Sequence, residues 1–262
     1  MRSLSGVLTR HMIACVASVD DQEGWRRNIA GLAEWTRGLS GASEGAYVIE
    51  RDGVVASVMP AVPDRSVVNS VIYEDVAGLA DAYDELEVAY ENAWTVWVPD
   101  YDTETADFLS QRGHVLDADP EAMVLDLEAV ERPDVPVGYD SSGDPGSLGP
   151  LNDEAYGTSG QFTRALGGLT AREGLFTYLA GPGSGLCTLD HGDDCSVWFV
   201  ATAPAARGQG LATALLAHAM ADARERGRTT STLQATGLGR PVYERLGYRS
   251  LGEIQMWEKR KR

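Results

Sequence analysis

Cysteine is scarce in this chain of 262 residues. Cys15, Cys187 and Cys195 are too few and too far apart for a disulfide framework, and no Cys-x-x-Cys pair offers a zinc or redox site. That usage fits a reducing compartment, so a cytoplasmic location is expected. Long apolar runs are missing too: no stretch approaches the ~18 residues that would suggest a bilayer-spanning helix. The N-terminus carries Arg2, Arg10 and His11 through a mildly apolar stretch, without a clean hydrophobic core or a small-residue cleavage site. Neither secretion nor membrane insertion is expected.

Positive charge is in short supply: 22 Lys and Arg stand against 39 Asp and Glu, for a net charge of −17. The shortage lies in one half. Residues 1–132 hold 9 Arg and no Lys against 25 acids, whereas residues 133–262 hold 13 bases and 14 acids. A field of that sign repels nucleic acid and anionic membrane, and it either attracts a cationic ligand or keeps the protein soluble.

Several catalytic motifs are absent or stand in the wrong setting. There is no G-x-x-x-x-G-K-[ST] for a nucleoside triphosphate and no H-E-x-x-H for zinc, and the four His are scattered, so no metal is expected. Gly41-Ala42-Ser43-Glu44-Gly45 has the letters of a nucleophile elbow. It follows a predicted helix and precedes a strand, however, the reverse of what that elbow requires. Gly208-Gln209-Gly210 lacks the third Gly of a dinucleotide fingerprint, and the strand after its helix ends without an acid for a ribose.

What is present is ordinary globular material, 44% hydrophobic and 23% charged, long enough for two domains of about 130 residues each. The spacing of Trp25, Ile29 and Leu32 predicts a helix over 24–37. Strands over 46–50, 54–59 and 66–73 follow, then a helix over 76–90, a strand over 94–98, a helix over 103–112 and a strand over 122–127. Pro133, Pro136, Pro145 and Pro150, with neighbouring Gly and Ser, mark 133–150 as a linker and the start of a second domain.

The second half repeats that order. Short helices over 148–156 and 161–166 precede strands over 176–180, 186–190 and 197–202, a helix over 211–226, a strand over 230–235, a short helix over 240–246 and a strand over 252–257. The repetition points to an internal duplication, and to an α/β fold with a mixed sheet in two tandem domains, 1–132 and 151–262. Alignment of the halves puts Leu109 opposite Tyr243 and Asp75 opposite Arg207. No Gly-rich loop precedes Gly78.

The chemistry is concentrated in the stretch Ser196 to Ala217, read as strand, tight loop and helix. A Gly-rich loop that opens a helix presents several unpaired N–H groups to one point, where the helix dipole adds positive potential, and such a point suits a phosphate or pyrophosphate. Arg207, Gly210 and Ala212 fill the pattern Q/R-x-x-G-x-G/A, with Pro204 just before it. Downstream, Tyr243-Glu244-Arg245-Leu246-Gly247-Tyr248 sets a Tyr four residues ahead of a Gly-aromatic pair. In both respects the second half, about residues 134–262, resembles the GCN5-related N-acetyltransferase (GNAT) superfamily. The first half resembles a degenerate second copy.

The resemblance implies acetyl-CoA as acyl donor and direct attack of a primary amine on its thioester. It implies that Arg207, Gly208, Gln209, Gly210, Leu211, Ala212 and Thr213 hold the pyrophosphate, that the main chain of Phe199, Val200, Ala201 and Thr202 pairs with the pantetheine arm, and that Tyr243 is the general acid. Thr236 stands where many relatives place an Asn against CoA. A base is harder to find, because Cys195 to Thr202 holds no carboxylate; Asp193 and Asp194, acting through water, are candidates. Asn152 and Tyr156, with Asp153 and Glu154, sit on the helix that walls the acceptor site in relatives, and are candidates for substrate binding.

With Asp75 and Leu109 at the key positions, residues 1–132 are expected not to bind CoA productively. They would instead complete the sheet, wall the acceptor cleft or form a homodimer contact. The expected function is acetyl transfer to a small cationic amine. A protein lysine or N-terminal amine is the alternative acceptor, and a non-catalytic acyl-CoA sensor is the alternative of a different class.

Overall fold

The computed structural model describes residues 18–136, 138–181 and 183–261; Arg2, Arg10, His11 and Cys15 lie outside them. Asp20 caps α1 (Asp21–Arg37) by accepting from the Glu23 N–H at 2.8 Å, and the helix buries Trp25, Asn28, Leu32 and Trp35 along one face. β1 (Tyr47–Arg51) and β2 (Val54–Val58) pair antiparallel around Asp52-Gly53. β3 (Ser70–Tyr73) is shorter than the strand predicted over 66–73, because residues 66–68 turn as a 3-10 helix. The cause is Asn69. Its side chain accepts from the Met59 N–H at 2.8 Å and donates to the carbonyls of Val62 and Arg65 at 3.0 and 3.1 Å, bonds that a sheet ladder would not satisfy.

α2 (Val76–Ala89), β4 (Ala93–Pro99) and α3 (Thr103–Gln111) fall where the periodicity puts them. β5 (Val115–Ala118) was not expected: exposed along most of its length, it has no inward-facing alternation to read. β6 (Glu121–Asp126) follows. The second half runs α4 (Leu148–Tyr156), α5 (Gln161–Leu166), β7 (Leu175–Ala180), β8 (Ser184–His191), β9 (Asp194–Thr202), α6 (Leu211–Glu225), β10 (Thr230–Ala235), α7 (Arg240–Arg245) and β11 (Arg249–Arg260).

All these strands join one mixed sheet in the order β1-β2-β3-β4-β11-β6-β10-β9-β8-β7, with β5 paired to β11. Each half is completed by a strand from the other. β6, from the first half, pairs antiparallel with β10 along its whole length, and β11, from the second, pairs antiparallel with β4 over Ile254–Arg260. The earlier part of β11 pairs with β6 itself, so the two exchanged strands lie side by side at the centre. The core is continuous across the halves. Trp35, Met59 and Val68 pack with Leu148, Leu166 and Leu175 in one buried cluster, while α6 covers another containing Met123, Leu125, Val197 and Leu233. Among the described residues no helix is long and apolar enough to cross a membrane.

Candidate active site

β9 and β10 pair in parallel over only three residues, Asp194–Ser196 against Thr230–Thr232. Beyond them β9 continues to Thr202 and β10 to Ala235 with no ladder between, so the strands diverge and leave one edge of β9 unpaired. Phe199 lies inside that gap with φ +52°, a left-handed conformation that a bulky side chain avoids at a cost of about 1–3 kcal/mol. The β8–β9 register slips at the same place, between Gly185 and Cys187. This is a β-bulge, which re-aims the backbone of Phe199 and Val200.

The bulge is held from outside the strand. Asn152 Nδ2 donates to the Phe199 carbonyl at 3.4 Å, and the Tyr156 hydroxyl donates to the Val200 carbonyl at 3.2 Å. The Phe199 ring packs edge-on against Phe162, centroids 5.7 Å apart, and against Trp35 at 5.3 Å. Trp35 also stacks on Trp198 at 4.8 Å. Thus α1 of the first half supports the strained strand of the second.

After β9, Pro204–Ala206 make a 3-10 turn and the chain enters α6 through Gly208 and Gly210, with φ +77° and +74°. A Cβ at either glycine would meet open space, so the loop's surface is unobstructed. The first intrahelical bond into α6 is Ala214 N–H to Gly210 O, and no side chain caps this helix. Consequently the backbone N–H groups from Gly208 to Thr213 have no acceptor among the described residues. Six donors at a 15-residue helix N-terminus form an anion cradle. Arg207 braces the cradle: its Nη2 donates to the Ala155 carbonyl at 2.6 Å and its Nε to the Thr202 carbonyl at 3.2 Å. Gln209 Nε2 reaches back to the Ala205 carbonyl at 3.5 Å.

The same position in the first half is built differently. β3 and β4 also pair in parallel over two residues and then part. Asp75, however, caps α2 by accepting from the Gly78 N–H at 2.8 Å, so the helix supplies its own anion. Leu109, opposite Tyr243 in the internal alignment, is fully buried in the core.

Tyr243, on α7, is buried, and its hydroxyl has no protein partner among the described residues. Burial, and secondarily the neighbouring Tyr156, push its pKa well above the usual phenol value, so it stays protonated at neutral pH. Tyr156, exposed over much of its surface, is shifted up by partial desolvation against the opposing pull of Arg207 and Arg65. Cys187 and Cys195 are sealed in the core, where burial raises both thiols and leaves them unreactive.

The residues considered as bases lie elsewhere. Asp194 starts β9, five positions from the bulge, which is about 16 Å along an extended strand. It is fully buried and accepts from the Thr230 and Thr232 hydroxyls at 2.6 Å each; His191 Nε2 lies 3.2 Å away without hydrogen-bond geometry. It therefore pins the closed end of the β9–β10 pair. The Asp193 carbonyl accepts from the Thr229 N–H at 2.8 Å in the adjoining turn. Asp153 caps α5, accepting from the Phe162 and Thr163 N–H groups and from the Thr158 and Thr163 hydroxyls. Thr236 Oγ1 accepts from the Gly239 N–H at 3.3 Å and so shapes the entry to α7. Sequence reasoning missed Trp35, Phe162 and Arg65, whose guanidinium lies 4.6 Å over the Phe162 ring. Each acts through a contact distant in sequence. Among the described residues no group of three or more His, Cys, Asp or Glu is disposed to hold a metal ion.

Residues 173–250, which contain the diverging strands, the cradle and Tyr243, match the family model of the acetyltransferase (GNAT) domain. The second half carries a GNAT domain. A GCN5-related N-acetyltransferase from Kribbella flavida superposes with a TM-score of 0.61 at 16% identity, over 87% of this chain and 95% of that one. One from Sphaerobacter thermophilus gives 0.56 at 18% identity, over 93% and 94%. A tandem GNAT protein from the clavulanic acid biosynthesis pathway gives 0.50 at 14% identity, over 92% and 97%. At such identities the likeness is one of fold, and it extends over both halves. No curated protein sequence matches. The β9 bulge, the cradle and Tyr243 all fall within the residues that the GNAT-domain model matches.

Proposed function

We propose that the chain transfers acetyl from acetyl-CoA to a primary amine in its GNAT half. The observation that carries the reading is the set of six unpartnered N–H groups from Gly208 to Thr213 at the mouth of the diverging strands. A pyrophosphate needs many donors and no side chains in its way, and both glycines leave that space open. The edge of β9 at Val200, Ala201 and Thr202 pairs with no strand, only with the Tyr156 and Arg207 side chains at two carbonyls, and suits the amides of a pantetheine arm in the manner of an added strand.

Acetyl-CoA supplies an activated acyl group when bound. The N–H groups at the bulge, fixed by the strain at Phe199, are placed to polarise the acyl carbonyl, a preorganised donor of the oxyanion-hole type. Tyr243 holds the proton for the departing sulfur. No carboxylate lies on β9 from Cys195 to Thr202, so the amine's proton leaves by water or with the bulk solvent. Residues 1–132 serve as a supporting half: Asp75 fills its anion position, while Trp35 and the exchanged strand β6 stabilise the working half. The acidic field of the first half favours a small acceptor bearing positive charge.

The absence of a carboxylate between Cys195 and Thr202 of β9 also favours a second reading, a non-catalytic acyl-CoA sensor. Titration calorimetry with acetyl-CoA, combined with a free-thiol assay across a panel of amines, tests both. Binding is expected, with its loss in Gly210→Asp, and amine-dependent thiol release is expected from the wild type. Binding without thiol release leaves the sensor. No binding, or binding unchanged in Gly210→Asp, overturns the site.

A further inference from the structure

Arg65 enters from the loop between β2 and β3 of the first half and reaches α5 of the second, where its guanidinium lies 4.6 Å over the Phe162 ring. Phe162 in turn contacts Phe199 at the bulge and Tyr156 at 6.1 Å between centroids. Arg65 is therefore one aromatic ring away from the strained strand at which the proposed acyl group is held. Its Nε is sealed from solvent and has no partner. No ion pair or hydrogen bond from its terminal nitrogens occurs among the described residues either. Several other arginines are paired, as Arg226 is with Asp190, Arg240 with Glu121 and Arg51 with Glu85, whereas Arg172, near Glu34 and Cys187, shares with Arg65 a lack of any ion pair among the described residues.

The nearest carboxylate in influence, Asp153, is already spent. Its two oxygens accept four hydrogen bonds from Thr158, Phe162 and Thr163, which fills their lone-pair capacity. A half-buried guanidinium that has lost hydration without gaining an anion is a vacant bidentate donor. Burial lowers its basicity accordingly.

We infer that Arg65 binds a carboxylate of the acceptor, so that the substrate is a small amino acid whose amine is acetylated. This rests on the acetyl-transfer reading above. The zwitterion satisfies both fields: its ammonium is drawn by the acidic first half, and its carboxylate meets the cation that Arg65 leaves without an anion near the bulge.

The test uses the full chain and matched acceptors: α-, β- and γ-amino acids, each beside its own amide. The wild type is expected to prefer at least one acid over its amide by about tenfold to a hundredfold in kcat/KM, chiefly through KM, the range of a charge-assisted bond pair. In Arg65→Gln that ratio collapses toward one, and in Arg65→Lys it is partly restored. Thermal melting of each variant checks the fold. Wild-type turnover of amides as good as that of the acids overturns the carboxylate assignment while leaving acetyl transfer intact, as does an undiminished acid preference in Arg65→Gln. Acetyl-CoA binding without turnover of any amine, or no binding at all, overturns the acetyl-transfer reading and this inference with it.

Discussion

Arg207 Nη2 donates to the Ala155 carbonyl oxygen at 2.6 Å, joining the anion cradle to the C-terminal end of α4. A second bond, from Nε to the Thr202 carbonyl, ties the same side chain to the end of β9. The guanidinium thus fixes the loop's shape from behind and adds its charge at short range, without offering its full fork to a ligand. Arg207→Ala should weaken acetyl-CoA binding by about tenfold, consistent with the loss of a charged hydrogen bond. Calorimetry at two salt concentrations measures it. A loss of a thousandfold that salt abolishes would mean that Arg207 grips the phosphates directly.

The buried Tyr243 hydroxyl has no internal partner among the described residues, so removal of the oxygen costs the fold little. Tyr243→Phe should keep the melting temperature and the affinity for acetyl-CoA, while kcat falls by about a hundredfold, the scale of general acid catalysis. Burial pushes its pKa up, so the protonated form is present throughout the neutral range, and the alkaline limb it causes lies above pH 10. A full-rate Tyr243→Phe enzyme would remove the acid assignment.

Much of this arrangement was legible in the sequence where local chemistry dictates it. The helical spacing of Trp25 and Leu32, the glycines that open α6 and the tyrosine ahead of Gly247-Tyr248 all act within a few residues. Illegible features are of two kinds. β5 carries no alternation because its residues are exposed, and Ser66–Val68 reads as strand until the Asn69 side chain competes for the backbone. The rest depends on contacts far apart in the chain: Arg65 over Phe162, Trp35 on Trp198, and the crossing of β6 and β11. A binary pattern specifies which face of a strand is buried, but not which strand lies beside it.

His114 gives the first half a predictable pH response. It is buried between the Tyr83 hydroxyl at 3.0 Å and the Trp257 carbonyl at 3.0 Å, and burial pushes its pKa down from 6.5 to about 4. The unfolded chain therefore binds more protons between those values, so stability from this group is complete above pH 6.5 and is lost as pH falls toward 4. The full span is worth about 3 kcal/mol. Thermal melts from pH 7 to 4.5 should fall more steeply for the wild type than for His114→Gln, which cannot take up a proton. Parallel slopes would show that another group governs the response.

The exchange of β6 and β11 makes the halves depend on each other for more than the site. β6 places Ala122, Met123, Val124 and Leu125, all buried, between β10 and β11. At about 1.5–3 kcal/mol per large apolar side chain, that strand contributes roughly 5–8 kcal/mol to the second half, comparable with the whole stability of a typical domain, about 5–15 kcal/mol. A fragment of residues 133–262 loses it and exposes β10 as an unpaired apolar edge, a template for aggregation. Produced alone, the fragment should be insoluble or unfolded. Produced together with residues 1–132, it should assemble through the exchanged strands and regain acetyl-CoA binding. The intact chain should unfold in a single cooperative transition, since neither sheet half survives the departure of the other. A soluble, monomeric 133–262 fragment with native circular dichroism would show that the contribution of β6 is far smaller than its burial implies.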